Sequence, residues 1–277
     1  MTENYQGQVA GKQVNMKRIK IFLSDPQVLF REGIHFILSG EDDFEVTGEA
    51  TNNEEAFTHI EANPPNIAIL NIQDKKVSGP EVIRRLKKRF PSVSTIVTID
   101  KKEEEQLFEV MKSGASAFLN KDSDPENLLD IIKVVSQGSF PIMDELLTPE
   151  MAARVLAEFE DTNTLNERMD NLMVSLTQKE MQVLGSIASG NNIGQVSTKL
   201  NIDEETIRVN LRLVLNKLVA NDQTRAIIMT VQRSLPSMLS NAGRLKRPSE
   251  EYLTREEFTK FKDSLVKRLK NIIGEAV

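Results

Sequence analysis

Residue types and spacing able to do chemistry appear first between Arg208 and Lys217. Arg208, Asn210, Arg212, Asn216 and Lys217 fall on the helix side opposite Ile207, Leu211 and Leu218. Guanidinium, carboxamide and ammonium groups donate hydrogen bonds to phosphates and base edges, although a solvated helix face has the same look. A second set stands where short apolar runs end: Asp25, Asn71, Thr98 or Ile99, and Lys121. The rest of the 277 residues is poor in chemistry, with no Cys, no P-loop and no G-x-G-x-x-G. His35 and His59 both fall on expected helices, without carboxylates at metal-ligand spacing. No catalytic group, metal or cofactor is expected.

The elements that must position the first set are short helices. Apolar residues recur at helical spacing in Met181, Leu184, Ile187 and Ala188, in Ile193, Val196 and Leu200, and in Ile207, Leu211, Val214, Leu215 and Leu218. Thr177 with Glu180 three residues on forms a capping box. Gly190 stops the first run, and Asn191 and Asn192 offer an N-cap for the second. Asn201-Ile202-Asp203 breaks the second run, with Asp203 capping the third and Glu204 and Glu205 in its first turn. Helices so closely joined must cross steeply, which predicts a helix-turn-helix.

The second set needs a sheet. From Lys17 to Met143 strand-like runs (Ile19–Leu23, Phe44–Ala50, Ile67–Leu70, Thr95–Ile99, Ala117–Leu119) alternate with helix-like ones. That alternation predicts a five-stranded parallel sheet covered on both faces, with ligands at the carboxyl ends of its strands. Hydrophobic content of 39% and charged content of 27% suit a soluble chain of two domains. The absence of Cys fits a reducing cytoplasm, and neither a membrane span nor a signal peptide is read. A net charge of −6 argues against a wholly basic DNA coat. Between Leu176 and Arg233, however, seven Lys/Arg stand against five Asp/Glu, so DNA binding would come from a local patch.

Leu176-Thr177…Glu180…Val183-Leu184, Gly190, Ile193…Val196, Leu200…Ile202, Thr206-Ile207-Arg208-Val209 and Asn216-Lys217-Leu218 resemble the LuxR-type helix-turn-helix of NarL/FixJ regulators. The resemblance implies a major-groove helix reading bases through Arg208, Val209 and Arg212. Thr206 and Asn210 would lie beside them and Lys217 on the backbone. Asn210 stands where many members carry His. Asp25, Arg31-Glu32-Gly33, the Gly79 loop, Ser113-Gly114-Ala115 and Phe118-Leu119-Asn120-Lys121-Asp122 resemble the receiver domain of two-component response regulators. This implies a flavodoxin-like α/β domain.

The departures fall on that family's chemistry. The second acid of its metal pair is Pro26, the phosphoacceptor position is Asn71, and the switch hydroxyl aligns with Ile99, one residue beyond Thr98. A carboxamide is a poor nucleophile, and Asp25 alone offers magnesium one carboxylate. Asp74 is the remaining acid nearby, although the loop is expected to have left the pocket there. Asp25 and Lys121 are expected to persist as an ion pair across the strand ends.

The expected organisation is a disordered tail (1–15), a receiver-like domain (16–143), a helical linker (144–172) and a LuxR-type all-α domain (173–235). A basic hinge and amphipathic helix (236–277) follow. The linker is expected to be flexible at Glu160-Asp161-Thr162-Asn163-Thr164, leaving the domains free to rearrange. A fourth helix of the DNA-binding module, Gln223–Leu235, would either serve dimerisation or close the module's own core. The last segment places Phe258, Phe261, Leu265, Leu269, Ile272 and Ile273 on one side, and Lys260, Lys262, Lys267, Arg268 and Lys270 around the rest. An isolated helix of this kind should dock, on its own chain or across a dimer. The whole reads as a cytoplasmic, non-enzymatic transcription regulator: a homodimer on double-stranded DNA, its pseudo-receiver answering to a small ligand, a protein partner or dimerisation. The alternatives are a phosphorylation-switched regulator using Asp25 or Asp74, and a signalling adaptor with vestigial DNA binding.

Overall fold

A computed structural model describes residues 18–74, 77–168 and 172–242 of the chain. The expected tail 1–15 and the amphipathic segment 254–273 lie outside these residues. Five strands, β1 (Ile19–Ser24), β2 (Phe44–Ala50), β3 (Ile67–Asn71), β4 (Ser94–Ile99) and β5 (Ala117–Asn120), form one sheet. All pairings are parallel, in the order β2-β1-β3-β4-β5. Between and after them run α1 (Val28–Ser39), α2 (Asn53–Ala62), α3 (Gly79–Arg89), α4 (Glu104–Ser113) and α5 (Pro125–Ser136). The expected α/β sheet is therefore present, and its strands alternate their apolar side chains between two covered faces. Ile21, Leu23, Ile67, Ile69 and Ile96 pack under α1 and α5 with Ile34, Leu38, Leu128 and Ile132. Phe22, Ala68, Leu70 and Val97 pack on the other side against Ile60 of α2, Ile83 and Leu86 of α3, and Leu107 and Met111 of α4.

The second cluster does not stop at the edge of the sheet. It continues through the 3₁₀ segment η1 (Pro141–Leu147) and α6 (Pro149–Arg168) into α7 (Gln178–Ala188), α8 (Ile193–Leu200) and α9 (Glu204–Ala242). Ile142, Leu146, Val155 and Phe159 join Leu184, Ile187, Val196, Ile207, Leu211 and Leu218 in one apolar body. The caps of the helix-turn-helix stand as their residues dictate. Thr177 and Glu180 form a reciprocal capping box, and Asn192 and Gln195 form another. Asp203 accepts from Thr206 N–H at 2.6 Å, and Asn201 takes the left-handed conformation (φ 52°) between α8 and α9.

Two boundaries differ from expectation. The stretch 160–164 is helical, because α6 runs unbroken to Arg168; only 169–171 are not described there. The module's third and fourth helices are one, since α9 spans 39 residues without the break expected before Gln223. The turn-forming side chains at that point bond elsewhere and leave the backbone helical. The Asn221 amide accepts from Val174 N–H and donates to Val174 O, both at 2.8 Å, and Asp222 is held by Arg84.

Gly114, at the C-cap of α4, has φ +92°, and a Cβ there would meet Val219 Cγ1 at 3.3 Å. Gly114→Ala is expected to cost roughly 1–2 kcal/mol, from left-handed strain plus displacement of α9. A urea titration monitored by far-UV circular dichroism checks it.

Candidate nucleic-acid interface and receiver pocket

The first half of α9 presents Glu205, Val209, Arg212, Leu213 and Asn216 to solvent, while Ile207, Leu211, Val214, Leu215 and Leu218 face the core. Val209 and Leu213 are the exposed apolar members of this stripe. Arg212 makes no ion pair among the described residues, and Arg208 is half-exposed, its Nη1 3.1 Å from Asp144 of η1. Thr206 is half-buried in the first turn, with its N–H on Asp203.

Two residues assigned to the donor face do not reach it. Asn210 is buried, its carboxamide donating to Thr206 O at 2.7 Å. A step of two residues from Arg208 turns a helical side chain by about 200°, to the opposite side, so Asn210 falls on the inner side. Lys217 points at α7 and pairs with Glu180 at 2.7 Å. Burial pushes Glu180 up, but hydrogen bonds from Lys217 and Thr177 outweigh it and hold the carboxyl below its usual range.

At the carboxyl ends of the strands the structure brings together Asp25, Asn71, Thr98 and Lys121. Lys121 Nζ lies 2.8 Å from Asp25 Oδ2, with both side chains nearly buried. Thr98 Oγ1 lies 3.3 Å from the same oxygen. Thr98 stands in register with Asn71, whereas Ile99 is packed in the core. This corrects the alignment that gave Ile99 the hydroxyl position. The Asn71 amide folds onto its own loop, donating to Gln73 O at 2.8 Å. Asp74 accepts from Asn53 N–H at 2.6 Å, which ties it to the first turn of α2.

Sequence reasoning missed Asn53. Its fully buried amide donates to Asn71 O and Val77 O, both at 2.9 Å, stitching α2 to the loop after β3. It missed Arg31 as a brace as well: the guanidinium donates to Asp25 O at 2.7 Å and pairs with Glu49 at 2.8 Å. The long-range charge chemistry was also invisible. Arg84 of α3 grips Asp222 of α9 with Nε and Nη2 at 2.5 and 3.1 Å. It also reaches Glu109 at 3.2 Å, and Glu109 holds Lys112 at 2.7 Å. Lys112 approaches Glu158 of α6 at 3.8 Å, and Glu158 pairs with Arg225 of α9 at 2.6 Å. These six charges alternate in sign across the seam between the sheet domain and α9. Beneath them Lys87 lies beside Val219 over Gly114, and burial pushes its ammonium down to about 8. Among the described residues no helix is long and apolar enough to cross a membrane.

Comparison with known proteins divides the chain along the same lines. Residues 21–133 match the response regulator receiver domain, and residues 174–230 match the bacterial regulatory proteins of the luxR family. The chain is 30% identical to the transcriptional regulatory protein DegU of Brevibacillus brevis over 80% of its own length and 96% of that protein. It is 28% identical to the transcriptional regulatory protein LnrK of Bacillus subtilis, over 77% of this chain and 97% of the relative. It is likewise 28% identical to the nitrate/nitrite response regulator protein NarL of Escherichia coli, over 80% and 99%.

Lys87, whose Nζ donates to Val93 O at 2.9 Å, gives folding a pH dependence whose sign follows from its burial. An ammonium depressed to about 8 when packed and near 10.5 when released binds fewer protons in the packed state between those values. Raising pH through that window therefore stabilises the packed state. Stability measured by urea titration is expected to rise by about 1–3 kcal/mol more in the wild type than in Lys87→Met over this range.

Proposed function

With a full-length relative at 30% identity, the chain belongs to the response regulators that join a receiver to a LuxR-type helix-turn-helix, and we propose that it reads specific DNA as a dimer while its receiver works without an aspartyl phosphate. The observation that carries this reading is Asn71 at the end of β3. A carboxamide is uncharged and a poor nucleophile, and this one is turned onto Gln73 O. The remaining groups do not substitute for it. Asp25 is taken by Lys121 and Thr98, Pro26 offers magnesium no ligand, and Asp74 is engaged by the first turn of α2. Magnesium prefers several oxygen ligands, and one already neutralised carboxylate is a weak site.

Arg208 and Arg212 are assigned to base edges, with Val209 against a thymine methyl, the groups such positions favour in the major groove. Thr206 sits at the phosphate-facing start of the helix. Lys217 and Asn210 brace α9 instead of touching DNA. Since Arg208 pairs with Asp144 and the middle of α9 is held by Arg84, DNA competes with the receiver for the same helix. The signal is whatever shifts that competition in the cytoplasm: a small ligand or protein at the receiver, or dimerisation.

Equilibrium binding to DNA fragments selected from the genome tests the reading. Arg208→Ala with Arg212→Ala is expected to lose about 1–3 kcal/mol per base contact. Asp144→Asn with Arg84→Ala is expected to tighten binding severalfold. Incubation with labelled acyl phosphate should leave no label on the wild type. A label that vanishes on Asp25→Asn or Asp74→Asn would show a phosphorylation switch instead, and binding indifferent to the arginine pair would leave the adaptor role.

A further inference from the structure

The outward side of α9 holds two side chains that the assignment of Arg208, Val209 and Arg212 leaves without a role. At about 100° of turn per residue, Val209 points away from Ile207, Leu211 and Leu218, which seat the helix in the core. Glu205 and Leu213 stand about 40° to either side of Val209 and Arg212 about 60° from it, so these residues share an arc of about 100°. All are exposed, Val209 and Leu213 by 47% each. Glu205 makes no ion pair among the described residues, whereas its neighbour Glu204 leans toward Gly194 of α8. A free carboxylate on a face that must approach a polyanion opposes binding unless it meets a donor there.

We infer that Glu205 and Leu213 also read bases, Glu205 through the N4 amino group of a cytosine and Leu213 through the methyl group of a thymine. The inference rests on the reading of α9 as the DNA helix and adds the sequence chemistry that this helix recognises. A phosphate suits neither group, since an alkyl chain cannot hydrogen-bond to it and a carboxylate is repelled by it. In the major groove each finds one partner. The C5-methyl of thymine is the apolar group there, and cytosine offers its N4 donor alone. Guanine presents two acceptors, and adenine sets an acceptor beside its donor, so a carboxylate rejects the first and disfavours the second. Val209 and Leu213 lie four residues apart, a rise of about 6 Å, which is close to two base-pair steps of about 3.4 Å. The two thymine methyls they meet are therefore expected about two base pairs apart, with the cytosine about two base pairs beyond the thymine of Val209. Arg212 is left to a guanine, which an arginine meets with two hydrogen bonds.

Full-length protein is used to enrich sequences from a random pool of duplex DNA. The enriched duplex is then remade with deoxyuridine, which lacks only the methyl group, at each thymine in turn. Two thymines about two base pairs apart are expected to lose roughly threefold to fivefold in affinity on that replacement. Leu213→Ala is expected to weaken binding to the thymine duplex and to leave binding to the duplex with uracil at its own position unchanged. Glu205→Ala is expected to accept other bases where the wild type requires cytosine. Both side chains are exposed, so neither change empties the core. Three outcomes overturn the inference: a wild type indifferent to the methyl groups, a Leu213→Ala loss equal on the two duplexes, and a Glu205→Ala protein with unaltered base preferences. Each of these leaves α9 as the DNA helix. A wild type that enriches no sequence and binds duplex DNA no better than Arg208→Ala with Arg212→Ala removes the inference together with the reading beneath it.

Discussion

The structure depends on α9 being a single helix with two obligations. Its first half carries the side chains that can face bases, and its middle is clamped to the sheet domain by the Arg84 fork on Asp222. A rigid rod cannot satisfy both kinds of partner independently. Isolated surface ion pairs contribute at most about 1 kcal/mol each, so the pairs at the seam would not hold α9 unaided. The apolar cluster running unbroken from Leu70 and Met111 to Leu211 and Leu218 supplies the bulk. The alternating charges then select one alignment among the many that apolar contact allows.

The strand-end pocket obeys a different balance. Asp25 and Lys121 are nearly removed from water, and a buried charge is tolerated only when paired and hydrogen-bonded. Lys121, Thr98 and the Gln27 N–H at 2.8 Å together satisfy the carboxylate. In this arrangement the ammonium and hydroxyl serve the protein's own anion. Asn71 preserves the shape of a carboxylate without its charge, which avoids a second negative group beside Asp25. Asn53 then fastens the loop beyond Asn71 from behind.

Much of this was legible in the residues. The alternation of strand and helix gave the parallel sheet, since the period of apolar residues is set by which faces are buried. The caps at Thr177, Asn192 and Asp203 form hydrogen bonds within three residues of themselves, and local chemistry of that kind survives folding unchanged. One failure has a cause of the opposite kind. Asn221 and Asp222 precede the expected start of a fourth helix at Gln223, and side chains of their kind, alone, bond their own backbone; here Val174 and Arg84 claim them from 47 and 138 residues away. Asn210 looked exposed because polarity was taken as a sign of exposure, although a helical i−4 carbonyl satisfies it inside. Thr98 was misplaced by one residue, and in a strand a one-residue slip exchanges the pocket for the core. The six-charge seam joins four helices, and no spacing rule relates them.

The continuity of α9 from Arg208 to Asp222 also has a geometric consequence. From the clamp at Asp222 to Arg208 the helix rises about 21 Å. A tilt of about 10° at the clamp would swing the arginine end by about 4 Å, close to the roughly 3.4 Å that separates neighbouring base pairs. A small rocking of α3, which carries the clamp, would thus be amplified to about the rise of one base pair. A hinge between Arg208 and Asp222 would absorb such a motion, and the helix runs unbroken between them.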